Sequence, residues 1–431
     1  MKRTRVLRSL LAAVAAVAMV AAAAPTANAA PVAKSGGGGH WIGAWGTAVQ
    51  EPVPGFFPNW APDGFDNQSV RQVIRLTTGG VALRLRLSNR YGTSPLKLTG
   101  ATIAKAGTAG AVQKHTVRPL TFKHDFGTTI PVGTEILSDP SVLVTAPLDR
   151  LAVTLYFAKP TGPATNHVSA FSTSYRATGN HLFDTSGAAF TETSDSYYYL
   201  SRVDVSGLLP AKRDLVVALG DSITDGSFST PNAYNTYPDE LAERLVAARK
   251  PLAVVNAGIG GNRLLRDSHC FGDSALNRFE RDVLDQPRVG TVIVMEALND
   301  IFDIPGIPFG DCNRPNPGLT AEQMIEGHRA LIHAAHARGI RIIGGTVTPF
   351  KGNPYGLFTD QGEAVRDGLN HWILTSGEYD AVVDFAGVVA DPTDPDRLSP
   401  AYDGTAALHD AVHPNDAGFT AMAAAINLNK L

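Results

Sequence analysis

The sequence predicts an α/β protein in two halves: a three-layer α/β/α domain on a parallel sheet, preceded by an all-β, sandwich or jelly-roll-like domain. Three observations lead there. Short runs with apolar-polar alternation fill residues 41–205, and turn residues separate most of them. From about Asp214 the pattern switches to wholly apolar five-residue runs that alternate with helical stretches. The length of 431 residues, at roughly 150 per domain, leaves room for two or three domains.

The chain opens with a targeting pattern. Lys2, Arg3, Arg5 and Arg8 precede an uninterrupted apolar run from Leu10 to Ala24, and Ala27-Asn28-Ala29 fits the small-x-small rule for a secretory cleavage site. The run is shorter than the ~20 apolar residues of a membrane span and poor in bulky side chains. No adjacent Arg-Arg pair occurs, so the general secretory route is expected rather than the twin-arginine route. Residues 1–29 therefore read as a signal peptide and 30–40, with Ser35–Gly39 at their centre, as a flexible linker. The product is expected to be exported, extracellular and without stable membrane association after cleavage.

Composition excludes several classes. The formal net charge is −3, or about −7 once the four leader cations are gone, which does not suit a nucleic-acid binder. Two cysteines rule out a disulfide scaffold and a four-cysteine zinc module. In an oxidising compartment Cys270 and Cys312 pair more often than they stay free, so one disulfide is expected, with two buried thiols as the alternative.

Residues 41–208 form the expected β domain. Val70-Arg71-Gln72-Val73-Ile74-Arg75-Leu76 partly alternates. In Val81–Leu87 a period of two sends leucines to one face and arginines to the other. Leu96–Ile103, Val117–Phe122, Ser141–Val144, Leu151–Phe157 and Tyr197–Val203 are further candidate strands. Trp41, Trp45 and Trp60 suit either stacking on sugar rings or an ordinary sandwich core.

Residues 209–431 form the expected α/β domain. Its strands are Leu215–Leu219, Leu252–Asn256, Thr291–Met295, Arg341–Gly345 and Ala381–Phe385. Its helices are Tyr237–Arg249, Ala275–Leu284, Thr320–Arg338 and Pro414–Leu428, with Gly339 as the stop of the third. Wholly apolar strands imply a sheet covered on both faces. Ligands in such sheets bind beyond the carboxyl ends of the strands, so the residues there carry the chemistry.

The first strand leads into Gly220-Asp221-Ser222-Ile223-Thr224-Asp225-Gly226. A serine at that point stands at the sheet edge with its N–H directed outward, although a helix N-cap has the same look. The second leads into Asn256-Ala257-Gly258-Ile259-Gly260-Gly261-Asn262. This is not a dinucleotide fingerprint, because Arg263 stands where the last glycine belongs. The third leads into Glu296-Ala297-Leu298-Asn299-Asp300, which offers a side-chain amide or merely a turn. Near the end, His409-Asp410-Ala411-Val412-His413-Pro414 sets an aspartate three residues before a histidine, on one face of a helical turn.

Together these four blocks resemble the SGNH, or GDSL-type, hydrolase superfamily over Asp214–Leu431. The resemblance implies Ser222 as nucleophile, His413 as base and Asp410 as its orienting partner. It implies an oxyanion hole made of the Ser222 N–H, the Gly261 N–H and the Asn299 side chain. Ala297 departs from the glycine usual before Asn-Asp, at a cost if that position needs positive φ.

The implied reaction is ester hydrolysis through an acyl-enzyme, with no cofactor and no metal. The whole layout resembles secreted bacterial esterases of cell-wall polysaccharides, which implies acetyl or aryl esters of carbohydrates as substrates. A short-chain lipase or general carboxylesterase, and a carbohydrate-binding protein with an auxiliary hydrolase domain, are the alternatives. No Gly-x-Ser-x-Gly and no His-Glu-x-x-His occurs. His328, His333 and His336 read as a partly exposed helix surface.

Overall fold

Alternation governs the first half of the chain. The computed structural model describes residues 41–54, 58–207, 215–302, 312, 318–404 and 408–431. The expected leader (1–29) and linker (30–40) lie outside the described residues. The principal strands are β1 (Trp41–Gly46), β2 (Gln68–Arg75), β3 (Gly80–Ser88), β4 (Gly100–Lys105), β5 (Arg150–Phe157), β6 (Ser174–Thr178) and β7 (Leu200–Ser206). One antiparallel sheet runs β1–β7–β3, with Glu135–Leu137 and Ser141–Thr145 both pairing with β3. A second runs Glu192–Ser194, β6, β2, β5, β4, Arg118–Leu120.

In β3 the predicted alternation holds. Leu83, Leu85 and Leu87 are fully buried, each stabilising the core by about 1.5–3 kcal/mol. The arginines on the other face are paired rather than simply solvated. Arg84 donates to Asp204 on β7 at 2.8 Å and lies 4.6 Å over the Trp41 ring. Arg86 pairs with Glu135. The single strand expected over 96–103 is two: Leu96–Leu98 pairs with Thr128–Ile130, and β4 starts at Gly100 in another sheet. Between them, Thr99 bonds the end of β5 instead, its N–H to the Tyr156 carbonyl and its hydroxyl to the Ala158 N–H.

The second half holds β8 (Leu215–Gly220), β9 (Ala253–Gly258), β10 (Val289–Met295), β11 (Arg341–Gly345) and β12 (Ala381–Val383). They form one parallel sheet in the order β9–β8–β10–β11–β12. Every residue of β8 is buried, as the apolar runs required. The helices are α1 (Ser222–Asp225), α2 (Tyr237–Ala247), α3 (Ala275–Phe279), α4 (Leu298–Ile301), α5 (Ala321–Ala337), α6 (Asp360–Thr375), α7 (Phe385–Val389) and α8 (Asp416–Ala425). They pack in two groups, α2 and α7 against α8, and α3 and α6 against α5, as layers on the two faces of a sheet do.

Local chemistry sets several boundaries. The Thr320–Gln323 capping box starts α5, and Gly339 beyond it takes φ 62°. The last strand stops at Val383, not Phe385, because Asp384 caps α7 through the Gly387 N–H at 3.0 Å. Helix α3 runs on into a π-helical turn over Glu280–Leu284. Helix α6 has no strong sequence signal, since Gly362 and Gly368 interrupt it; Thr359 caps it through the Gly362 N–H.

From His40 to Leu431 the chain is one compact unit, and a single apolar cluster spans both halves. Strand β1 lies so close to β9 that a Cβ on Gly46 would stand 3.0 Å from Val255. Polar ties cross between the halves as well. Arg75 pairs with Asp239 at 3.1 Å and with Glu243 on α2. The Tyr91 hydroxyl donates to Asp273 at 2.7 Å. No helix among the described residues is long and apolar enough to cross a membrane.

Candidate active site

The parallel register brings the motifs to one edge of the sheet. Gly220 at the end of β8 pairs with Gly258 of β9 on one side and Met295 of β10 on the other. The segments that follow these three strands are therefore neighbours. A Cβ on Gly220 would stand 2.1 Å from the Thr224 hydroxyl and 2.4 Å from the Met295 carbonyl, so only glycine lets the serine turn fold back so tightly.

Ser222 is the first residue of α1, and Asp221 caps that helix through the Ile223 N–H at 3.0 Å. The hydroxyl of Ser222 lies 2.8 Å from Nε2 of His413, and Nδ1 of His413 lies 2.5 Å from Oδ2 of Asp410. A carboxylate only accepts, so Nδ1 carries the proton, and neutral imidazole turns the lone pair of Nε2 to the serine hydroxyl. Oδ1 of Asp410 accepts the N–H of Val412 at 3.0 Å and of His413 at 2.9 Å. Burial raises the basicity of Asp410. The His413 hydrogen bond and charge, with these two N–H groups, outweigh that and hold its carboxyl below the ordinary carboxylate range.

The Asp410–His413 segment is not the expected helical turn. Ala411 has φ 54°, outside the right-handed helix, and Pro414 disfavours helical geometry at His413. The aspartate side chain folds the segment by bonding two N–H groups, and α8 starts only at Asp416, capped by Asn415.

Gly261 sits in the turn after β9 with φ 75°, its would-be Cβ 2.5 Å from the Phe271 ring. Neither its N–H nor that of Ser222 donates to a protein acceptor among the described residues. Asn299 lies in α4 after β10, and its Nδ2 donates to the Asn262 carbonyl at 2.9 Å; an amide nitrogen carries a second proton. Ala297 does adopt positive φ, 118°, and is fully buried. The position thus has the conformation in which glycine is at ease, and alanine occupies it at a cost of about 1–2 kcal/mol.

Several supporting residues have no clear mark in the sequence. Asp300 accepts the N–H groups of Leu264 at 2.6 Å and Leu265 at 3.2 Å, tying α4 to the Gly261 loop, and burial pushes its carboxyl up to about 6. Arg278, fully buried, donates to the carbonyls of Gly220 at 2.9 Å and Ala257 at 2.6 Å and to the Asn262 side chain at 2.9 Å. Phe228, with φ 70°, rests its ring 5.2 Å from that of His413. Unlike these, the disulfide of Cys270 and Cys312 is the one the sequence predicts, and the Ser268 hydroxyl next to it donates to the Cys312 carbonyl at 2.6 Å.

Two other groups of candidates fall elsewhere. His328 is fully buried, not on the surface, because it shares the inner face of α5 with Met324, Leu331, Ile332 and Ala335. Its Nδ1 lies 2.5 Å from the Tyr379 hydroxyl, and burial pushes its pKa down to about 4. The tryptophans all have internal partners: Trp41 under Arg84, Trp45 edge-on to Tyr197 at 5.0 Å, and Trp60 stacked on Tyr198 at 5.3 Å.

A hydroxyl bonded to a neutral imidazole that a carboxylate holds in place can lose its proton as it attacks a carbonyl. Such a relay at the carboxyl edge of a helix-covered parallel sheet defines a hydrolase-type α/β domain. Residues 218–421 match the GDSL-like lipase/acylhydrolase family. The chain thus carries an ester-hydrolase domain behind a mostly antiparallel β half. Among solved structures it is similar to a GDSL-like lipase from Bacteroides thetaiotaomicron VPI-5482, at 19% identity over 52% of this chain and 90% of that one, TM-score 0.37. It is also similar to an acetyl xylan esterase from Geobacillus stearothermophilus, at 22% identity over 50% and 93%, TM-score 0.35. Comparison with curated proteins gave no match.

Proposed function

We propose that the chain is an exported serine esterase that hydrolyses acetyl or aryl esters of carbohydrates through an acyl-enzyme. The observation that carries the esterase reading is the Ser222–His413–Asp410 relay, with its 2.8 and 2.5 Å contacts. Ser222 Oγ attacks the ester carbonyl carbon while its proton passes to Nε2 of His413. Asp410 keeps the imidazole in the right tautomer and stabilises the imidazolium that forms. The N–H groups of Ser222 and Gly261 and the remaining Nδ2 proton of Asn299 receive the charge that grows on the carbonyl oxygen. The C–O bond breaks, and the alcohol leaves with the proton from His413. Water then adds to the acyl-enzyme, gives a proton to His413, and releases the acid and Ser222.

Export follows from the leader pattern of the sequence. The sugar-ester substrate rests on the layout of a β-rich half before the hydrolase half. Binding of carbohydrate as the main function draws no support from Trp41, Trp45 and Trp60, each of which has an internal partner. A series of p-nitrophenyl esters from acetyl to dodecanoyl, assayed beside acetylated xylan, tests the substrate. The expected result is a rate that peaks at acetyl and acetate released from the xylan. Rates that climb to octanoyl and beyond, with no acetate from xylan, would make the chain a lipase instead.

A further inference from the structure

His167 brings the β-rich half into the neighbourhood of Ser222. His167 is 3% exposed, and its ring stacks on that of Tyr197 at 6.4 Å. Nδ1 lies 2.8 Å from the Ala48 carbonyl oxygen, and Nε2 lies 3.0 Å from Oδ1 of Asp225. Both partners are acceptors, so both ring nitrogens donate and the ring is an imidazolium facing a carboxylate. Burial works against that charge, but Asp225 and the backbone acceptors outweigh it and raise the histidine's basicity.

Asp225 is the last residue of the short helix that Ser222 begins. Its second oxygen, Oδ2, accepts the Gly260 N–H at 3.1 Å. A single carboxylate therefore joins the serine helix to the turn that carries Gly261. The cation that faces this buried carboxylate comes from the other half of the chain. Without it, a carboxylate 5% exposed at its side chain is left without its counter-charge and turns toward water, which loosens its hold on Gly260.

We propose that His167 is a positioning residue of the ester-hydrolysing site: acting through Asp225, it holds the Gly260-Gly261 turn so that the Gly261 N–H keeps its place beside Ser222. This rests on the roles given above to Ser222 and Gly261. The β-rich half is then part of the working site and not only an appendage, although His167 itself touches no reacting atom.

The test uses the full chain with four variants, H167Q, D225A, H167Q/D225A and S222A. Each is assayed for p-nitrophenyl acetate turnover and for inhibition by phenylboronic acid, which adds to a serine as a tetrahedral anion. H167Q should lower kcat about 10- to 100-fold, the scale of a displaced oxyanion donor. KM should stay within about threefold, because the Gly261 N–H holds the oxyanion of the transition state more strongly than the carbonyl of the bound ester, and the boronate Ki should rise by a factor matching the kcat loss. H167Q/D225A should lose no more kcat than D225A, since His167 acts through Asp225. If H167Q does not fold, the double variant, in which no charge is left unpaired, carries the test with the same expected kcat and Ki changes. A kcat and Ki within twofold of the parent in H167Q or in the double variant overturns the proposal, as does a double-variant loss equal to the product of the two single losses. An inactive S222A beside a fully active H167Q removes the positioning role alone. An S222A protein with undiminished turnover removes the esterase roles and the positioning role with them.

Discussion

Replacing Gly261 by alanine perturbs the turn after β9 in two calculable ways. The residue has φ 75°, where an L-side chain costs about 1–2 kcal/mol. Its Cβ would stand 2.5 Å from both Cδ1 and Cγ of Phe271 and 2.9 Å from Cδ2. Phe271 is 7% exposed, so the ring has no free space, and such overpacking costs about 1–3 kcal/mol. The G261A protein should therefore lose about 2–5 kcal/mol of stability. Part of the strain will move the turn instead of the ring. A shift on the order of 1 Å takes the N–H off the developing oxyanion and lowers kcat about 10²-fold, with KM little changed. Urea unfolding and steady-state kinetics on p-nitrophenyl acetate read the two effects separately. In an F271A background, where the ring is gone, G261A should cost only the backbone share of the stability. A G261A protein with kcat within threefold of the parent and an unchanged unfolding midpoint would refute this reasoning.

Two further predictions concern stability. The C270S/C312S double variant opens a cross-link with a sequence separation of 42; chain entropy alone makes that about 4 kcal/mol. For a unit of this size it is a Tm drop of about 5 °C by calorimetry, and a drop under about 1 °C would contradict it. The second concerns pH. The folded pKa of His167, which faces Asp225 and Tyr197, is raised, so its contribution to stability is complete below the unfolded imidazole value of about 6.5. That contribution is lost as pH rises through the folded value. The urea midpoint should fall more steeply above pH ~6.5 in the parent than in H167Q; equal slopes would contradict it.

What the sequence makes legible follows from how local each signal is. The leucine–arginine alternation of β3 and the apolar run of β8 fix strand and burial within one segment. The Ser222, Gly261 and Asn299 blocks each follow directly on a strand end, so placing the strands places them. The departure at Ala297 was visible as a residue change, and its φ of 118° shows what that change costs. Signals that depend on distant partners stay hidden. His167 stands 58 residues from Asp225 in a two-residue strand, with no motif around it. Arg278 looks like a surface residue by type, yet three acceptors from two strand ends and a loop hold it in the core. The sequence predicts a helical turn at Asp410–His413, with the right spacing, but the aspartate's own hydrogen bonds give the segment another local form.

The central claim is that Ser222 is the nucleophile of an ester hydrolase. A p-nitrophenyl alkylphosphonate tests it most directly, since attack forms an Oγ–P bond and expels p-nitrophenolate. Peptide mass mapping of the treated chain should find one adduct, on Ser222, with activity lost in step with labelling; S222A should take no label and turn over no ester. Label on another residue, or ester turnover by S222A at the parental rate, would contradict the account.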